Sequence, residues 1–146
     1  MAGLLEEMDR FYGAAGAGRL EDRMSEISEA LFADPPAAYA LVAWDQAQLA
    51  GMAAYSFLWP AASLRRSLYL KELYVSGPYR SQGVGKLLMQ ALFQKAAAHR
   101  CSRVEWTADS GNHNAQAFYE ALMPAQHPSK VFYRVEAAGE GFPPPR

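Results

Sequence analysis

Apolar residues along this chain recur first at helical spacing, then at strand spacing, and then alternate between the two. Leu4, Leu5, Met8, Phe11 and Tyr12, with Glu6, Glu7, Asp9 and Arg10 between them, predict a helix from Leu4 to about Ala15, closed by the run GAAGAG. Leu20, Met24, Ile27 and Leu31 make the apolar face of a second helix, which Asp34-Pro35-Pro36 stops. Tyr39–Trp44 and Leu49–Trp59 read as strands joined by the polar turn Asp45–Gln48, an antiparallel hairpin. A third strand, Leu68–Val75, runs into a glycine turn from Gly77-Pro78 to Gly85. A helix from about Gly83 to His99 follows, with Leu87, Leu88, Ala91, Leu92 and Ala96 on its buried side. Arg103–Ala108 is the next strand, and its return through a helix implies parallel pairing with Leu68–Val75. The polar turn Ser110–Asn114 leads to a short helix, Ala115–Leu122, then a last strand, Lys130–Val135, and a tail over 137–146 expected to be disordered. The order ααββ, βαβ, αβ predicts a mixed α/β sheet in one domain, residues 1–136.

Composition narrows the class. A chain of 146 residues, 51% hydrophobic, carries enough apolar material for one core. Its longest apolar runs are broken well before the roughly 20 residues of a bilayer span. Acids stand near the N-terminus where a secretory signal has its basic region, and the single cysteine, Cys101, permits no intrachain disulfide, so a cytoplasmic setting is expected. Charge is unevenly divided: residues 1–60 hold nine acids and three bases, and residues 61–146 hold eleven bases and six acids. The split fits a phosphate-bearing ligand on the second half, or a chance distribution of solvated charge. The bases are scattered, without the runs or aromatic stripes of a nucleic-acid binder.

Two motifs carry chemistry. Arg80-Ser81-Gln82-Gly83-Val84-Gly85 is an R-x-x-G-x-G pattern between a strand and a helix, where glycines let the backbone approach a ligand and the helix end attracts anions. Arg80 and Leu87 stand where a Walker loop has Gly and Ser/Thr, and Leu88 where a dinucleotide fingerprint has its third glycine. By itself the loop reads equally as a phosphate cradle or as a tight turn. One strand later comes Asn112-His113-Asn114-Ala115-Gln116-Ala117-Phe118-Tyr119, an N-x-x-A-x-x-x-Y pattern. Together, in this order and separation, the two motifs resemble the GNAT superfamily of acyl-coenzyme A-dependent N-acyltransferases over residues 38–135. LYLKELYV, VEWTADSGN and KVFYRV are most similar to the branch related to diamine and thialysine acetyltransferases.

That resemblance implies acetyl-CoA as cosubstrate and an amine, expected to be a small molecule, as acceptor. It implies a Leu68–Val75 strand splayed from its neighbour, so that the pantetheine arm pairs with main-chain groups of Leu73, Tyr74 and Val75. The pyrophosphate then caps the helix at Gln82, Gly83, Val84, Gly85 and Lys86, with Arg80 or Lys86 adding charge. Asn112 and Tyr119 border the same cofactor, Asn112 chiefly by ordering the turn and capping the helix. Glu72 is the candidate base, acting directly or through water, or else a surface or ion-paired carboxylate; Tyr119 is the candidate acid for the leaving thiolate, or else a core tyrosine. Trp106, Tyr55 and Trp59 are candidates to line the acceptor pocket, with packing as their default.

His99, His113, His127 and Cys101 have no metal-ligand spacing, so no metal is expected. The chain departs from the family pattern in three places. Lys71 replaces the first of two consecutive acids, Leu122-Met123-Pro124 replaces a Gly-Phe ending, and only Met1-Ala2-Gly3 stand where a first strand is usual. A missing first strand leaves Tyr39–Trp44 as an edge, which invites a homodimer. A degenerate acyl-CoA-binding module and a protein N-acetyltransferase stand as alternatives to a small-molecule enzyme.

Overall fold

The structure is a computed structural model and describes residues 1–13, 18–123, 131–137 and 141–142. Contacts divide the chain into two units, Met1–Asp109 and Ser110–Arg146. In the first unit the elements are α1 (Ala2–Phe11), α2 (Leu20–Phe32), β1 (Tyr39–Asp45), β2 (Gln48–Leu58), β3 (Ser67–Val75), α3 (Val84–Ala98) and β4 (Arg103–Trp106). In the second unit is α4 (His113–Leu122). The four strands form one sheet in the order β1-β2-β3-β4. β1 and β3 both pair antiparallel with β2, and β4 pairs parallel with β3, as the helical crossover requires.

Alternation of side chains along the strands separates two layers. Met52 and Tyr74 face α1, where they pack with Leu4. Gly51, one residue away, faces α3: a Cβ there would meet Leu88 Cδ1 at 3.2 Å and Val84 Cγ1 at 3.3 Å. The sheet centre and α3 supply the deepest core, with Ala53, Leu68, Met89 and Leu92 fully buried. α3 ends on Arg100 in the left-handed region (φ 55°), with Arg100 N–H donating to Ala97 O and Cys101 N–H to Ala96 O. This closing turn satisfies the last carbonyls and sends the chain into β4 without a glycine.

Several predicted boundaries move. The first helix ends at Phe11 rather than near Ala15, with Tyr12 as its C-cap; residues 14–17 lie outside the described residues. α2 turns Ile27, Ala30 and Leu31 inward, but Leu20 and Met24 are each 57% exposed, so the second half of the apolar stripe does the packing. Leu87, expected on the buried side of α3, is exposed, because the inward face is centred on Leu88 and Leu92. β4 stops at Trp106, short of Ala108, since its ladder to β3 ends at the pair Leu70–Trp106. The predicted last strand does not form: residues 131–137 carry no secondary structure, and Val131, Phe132, Tyr133 and Val135 are exposed. A β-branched and aromatic sequence becomes a strand only where a neighbouring strand accepts it, and these residues join no ladder. Lys130 and most of the tail lie outside the described residues.

Candidate active site

The site begins at an irregularity in β3. Ala54 pairs with Glu72 and Tyr55 with Leu70, so Lys71 is an extra residue, a bulge that bends the strand. Pairing with β4 ends at Leu70, while β3 continues five residues to Val75. Among the described residues, from Lys71 onward β3 therefore has β2 on one side and no ladder on the other. Ser76 N–H donates to Ala50 O at 2.9 Å, which fixes the alternation of the antiparallel ladder. It puts the N–H and C=O groups of Leu73 and Val75 on the open side.

β3 leads into a turn that α1 holds in place. Glu7 Oε1 accepts Gly77 N–H at 2.9 Å and Tyr74 OH at 3.3 Å, and Glu7 Oε2 accepts Ser76 Oγ–H at 2.9 Å. Burial pushes the Glu7 carboxyl up, but the Gly77, Ser76 and Tyr74 donors and the Arg80 charge outweigh it and leave it below the ordinary carboxylate value. Arg80 folds back over the same cluster. Its Nε donates to Val75 O at 3.0 Å and its Nη2 to Tyr74 OH at 3.1 Å, and its guanidinium lies 4.2 Å from the centroid of the Phe11 ring. Gln82 Nε2 closes the turn on Pro78 O at 2.6 Å. The side chains of Arg80 and Gln82 are thus committed to the turn itself.

What remains for a ligand is main chain. Gly83 is the N-cap of α3 in the left-handed region, φ 85°, where a side chain would be strained. The first bond into the helix is Leu87 N–H to Gly83 O at 3.0 Å, so the N–H groups of Val84, Gly85 and Lys86 precede the intrahelical ladder. They point with the positive end of a 15-residue helix, an arrangement suited to phosphate oxygens.

On the α1 and α2 face lies an apolar cleft of about 170 Å³, lined by Leu5, Ile27, Leu31, Ala40, Met52 and Ala54 among others, with the Glu72 side chain in its wall. Burial pushes the Glu72 carboxyl up; Lys71 opposes this and Asp9 adds to it. Among the described residues no hydrogen bond or ion pair engages the Glu72 carboxylate. Tyr55 and Trp59, considered above for an acceptor pocket, stand elsewhere. Tyr55 stacks on Tyr39 at 5.5 Å and meets Phe57 edge-on, and Trp59 Nε1–H donates to Leu64 O at 2.9 Å. Neither they nor Trp106 line the cleft.

In the second unit Asn112 caps α4, its Oδ1 accepting Ala115 N–H at 3.1 Å. Tyr119, two turns along α4, lies edge-on to Phe118, ring centroids 5.1 Å apart.

The sequence matches the Acetyltransferase (GNAT) family over residues 2–123. The chain belongs to that family. It is 32% identical over 74 residues to L-ornithine N5-acetyltransferase NATA1 of Arabidopsis thaliana, a match covering 51% of this chain and 32% of that protein. It is 33% identical over 67 residues to D-amino-acid N-acetyltransferase HPA3 of Saccharomyces cerevisiae, covering 46% and 40%. The matches thus span well under half of either relative. Among solved structures, an integron cassette protein from the mobile metagenome of V. cholerae superposes with a TM-score of 0.85 at 31% identity, covering 93% of this chain and 84% of that one.

Within this GNAT fold, sequence reasoning located the turn, the open strand and Glu72, and missed Glu7 and Phe11. Glu7 lies 70 residues from Gly77 in the chain, and its spacing in α1 is that of any solvent-facing acid. No local pattern reveals such a contact.

Proposed function

We propose that this chain is an acetyl-CoA-dependent N-acetyltransferase acting on the primary amine of a small molecule. One observation carries the reading: an open strand edge at Leu73 and Val75 runs into an unladdered helix N-terminus, beside a half-buried carboxylate without a hydrogen-bond partner among the described residues. Family membership and two relatives named as amino-acid N-acetyltransferases support it.

Acetyl-CoA supplies an activated acyl carbon and a thiolate leaving group. Main-chain groups of Leu73 and the N–H of Val75 align the pantetheine amides, the main chain of Tyr74 being turned to β2 and the Val75 carbonyl taken by Arg80, and the N–H groups from Gln82 to Lys86 hold the pyrophosphate. Arg80 positions the turn and the Lys86 ammonium adds charge at its rim. An alkyl amine of pKa near 10.4 is only about one part in 2,500 neutral at pH 7, so Glu72 serves as base, directly or through one water. The amine nitrogen forms the new bond to the acyl carbon, the carbon–sulfur bond breaks, one amine proton passes to Glu72, and the thiolate takes a proton from Tyr119. Transfer from a phenol of pKa near 10 to a thiol of about 8.5 is uphill by about 2 kcal/mol, small beside the barrier of the reaction.

Thiol release from acetyl-CoA, followed with a panel of amines, amino acids and a lysine peptide, tests the assignment. Turnover with a free amine is expected, and Tyr119→Phe is expected to lower kcat by about 10²-fold without weakening cofactor binding. Cofactor binding without turnover on any acceptor identifies a binding module instead. Turnover on the peptide alone identifies a protein acetyltransferase.

A further inference from the structure

At the end of α3 away from the glycine turn, the loop between β2 and β3 meets the helix C-terminus around a depression of about 380 Å³. Trp59, Leu64, Arg65 and Arg66 line it from the loop, and His99 and Arg100 from the helix end. Its charge is uncompensated. Between Asp45 and Glu105 the chain carries eight arginines and lysines and a single acid, Glu72, which borders the cleft on the α1 and α2 face. In the first unit Arg10, Arg19, Arg23 and Arg103 are ion-paired, and Arg80 is hydrogen-bonded into the turn. Among the described residues the side chains of Arg65, Arg66 and Arg100 make neither kind of contact, and Arg66 stands 6.0 Å from the centroid of the Phe57 ring.

Trp59 adds an aromatic surface of fixed position. Its Nε1–H is satisfied by Leu64 O at 2.9 Å, yet the residue is 67% exposed. Ala61 N–H donates to Arg65 O at 2.7 Å, and Ser63 and Leu64 hold the left-handed region at φ 58° and 57°, so the loop is shaped before any ligand arrives. The negative end of α3 is muted here, because the carbonyls of Lys95, Ala96 and Ala97 accept the N–H groups of His99, Cys101 and Arg100.

We propose that this depression is a second binding site, for a small phosphate monoester that carries a planar ring, such as a nucleoside monophosphate. Guanidinium forks match phosphate oxygens in pairs, and a dianion answers three unpartnered guanidiniums better than a lone carboxylate does. The exposed indole of Trp59 gives the ring a face to stack on. The volume lies within the range of small-molecule sites. The 15 residues of α3 separate this site from the glycine turn by about 22 Å, so a ligand here leaves the turn free. The assignment does not depend on the acetyltransferase reading.

NMR titration of the full chain with adenosine monophosphate, ribose 5-phosphate, adenosine and a twelve-residue oligothymidylate tests it. Saturable shifts are expected with adenosine monophosphate at the Trp59 indole N–H and the backbone of residues 64–66 and 99–100. Ribose 5-phosphate and adenosine, each lacking one half of the ligand, are expected to bind at least fivefold more weakly. The double variant Arg65→Gln, Arg100→Asn removes two charges, and asparagine tolerates the left-handed backbone at position 100 (φ 55°). It is expected to weaken adenosine monophosphate tenfold or more while coenzyme A affinity stays within twofold. Trp59→Leu is expected to weaken adenosine monophosphate and leave ribose 5-phosphate within twofold. Shifts centred on residues 82–86 instead, or no saturable binding, overturn the proposal, and this map of the wild type needs no variant to fold. Adenosine binding as tightly as its monophosphate overturns the phosphate assignment. An oligothymidylate bound tenfold more tightly than adenosine monophosphate overturns the small-molecule assignment in favour of a nucleic-acid strand.

Discussion

Two carboxylates on the α1 side of the sheet have opposite environments and opposite consequences. Glu72 is half-buried among apolar groups with its carboxyl pushed up, so the folded state favours its protonated form. Any stability it contributes is present below the ordinary carboxylate pKa and lost as pH rises through the folded value. Glu72→Gln is therefore expected to raise Tm at pH 7 by roughly 1–2 °C, a difference that vanishes below about pH 4, while kcat/KM falls by about 10²-fold. Thermal melts across pH and a thiol-release assay check the two halves. Glu7 behaves the other way: its carboxyl is held down by the Gly77, Ser76 and Tyr74 donors against the effect of burial. Its contribution is present above the ordinary carboxylate pKa and lost as pH falls through the lower folded value. Glu7→Ala is expected to cost about 1 kcal/mol at pH 7 and to flatten the acid limb of the stability profile in denaturant melts. Glu72 stood out in the sequence because it lies on the strand that precedes the glycine turn. Glu7 did not, because its importance comes from a contact with Gly77 that only folding creates.

At the scale of elements, the junction from β3 to α3 depends on two glycines for different reasons. Gly83 sits at φ 85° with nothing within 4 Å of an added Cβ, so Gly83→Ala tests conformation alone. A loss of about 1 kcal/mol is expected, together with weaker coenzyme A binding measured by calorimetry, because the cap sets the direction of the N–H groups that follow. Gly51 has ordinary backbone angles, but its Cβ would lie 2.8 Å from Tyr74 O and 3.2 Å from Leu88. Gly51→Ala is expected to destabilise by about 1–3 kcal/mol in urea unfolding, since it separates α3 from the sheet or shifts β3. The R-x-x-G-x-G spacing announced the first glycine. The second lies in a strand whose sequence, LAGMAAY, gives no sign that a helix crosses it.

For the whole molecule, a cofactor that binds the native state alone stabilises it by mass action. Coenzyme A at a hundred times its Kd is expected to add about 2.7 kcal/mol, an upward Tm shift of several degrees in scanning fluorimetry. The proposed ligation along β3 and α3 would make this shift larger than either region alone could give, and loss of the Glu7 clamp should reduce it. Periodicity fixed the kinds of element and their order through α4, because one buried face per element leaves a period of 3.6 or 2 in the chain. Motif spacing located the glycine turn, because glycine and a helix start are local requirements. Pairing decided the rest. The bulge at Lys71, the end of the β4 ladder at Trp106 and the absence of a strand over 131–137 all depend on which neighbour a backbone meets. The sequence placed Glu72 on its strand, but only the packing of α1 and α2 over the sheet half-buried it beside an apolar cleft, since burial is a property of assembled surfaces.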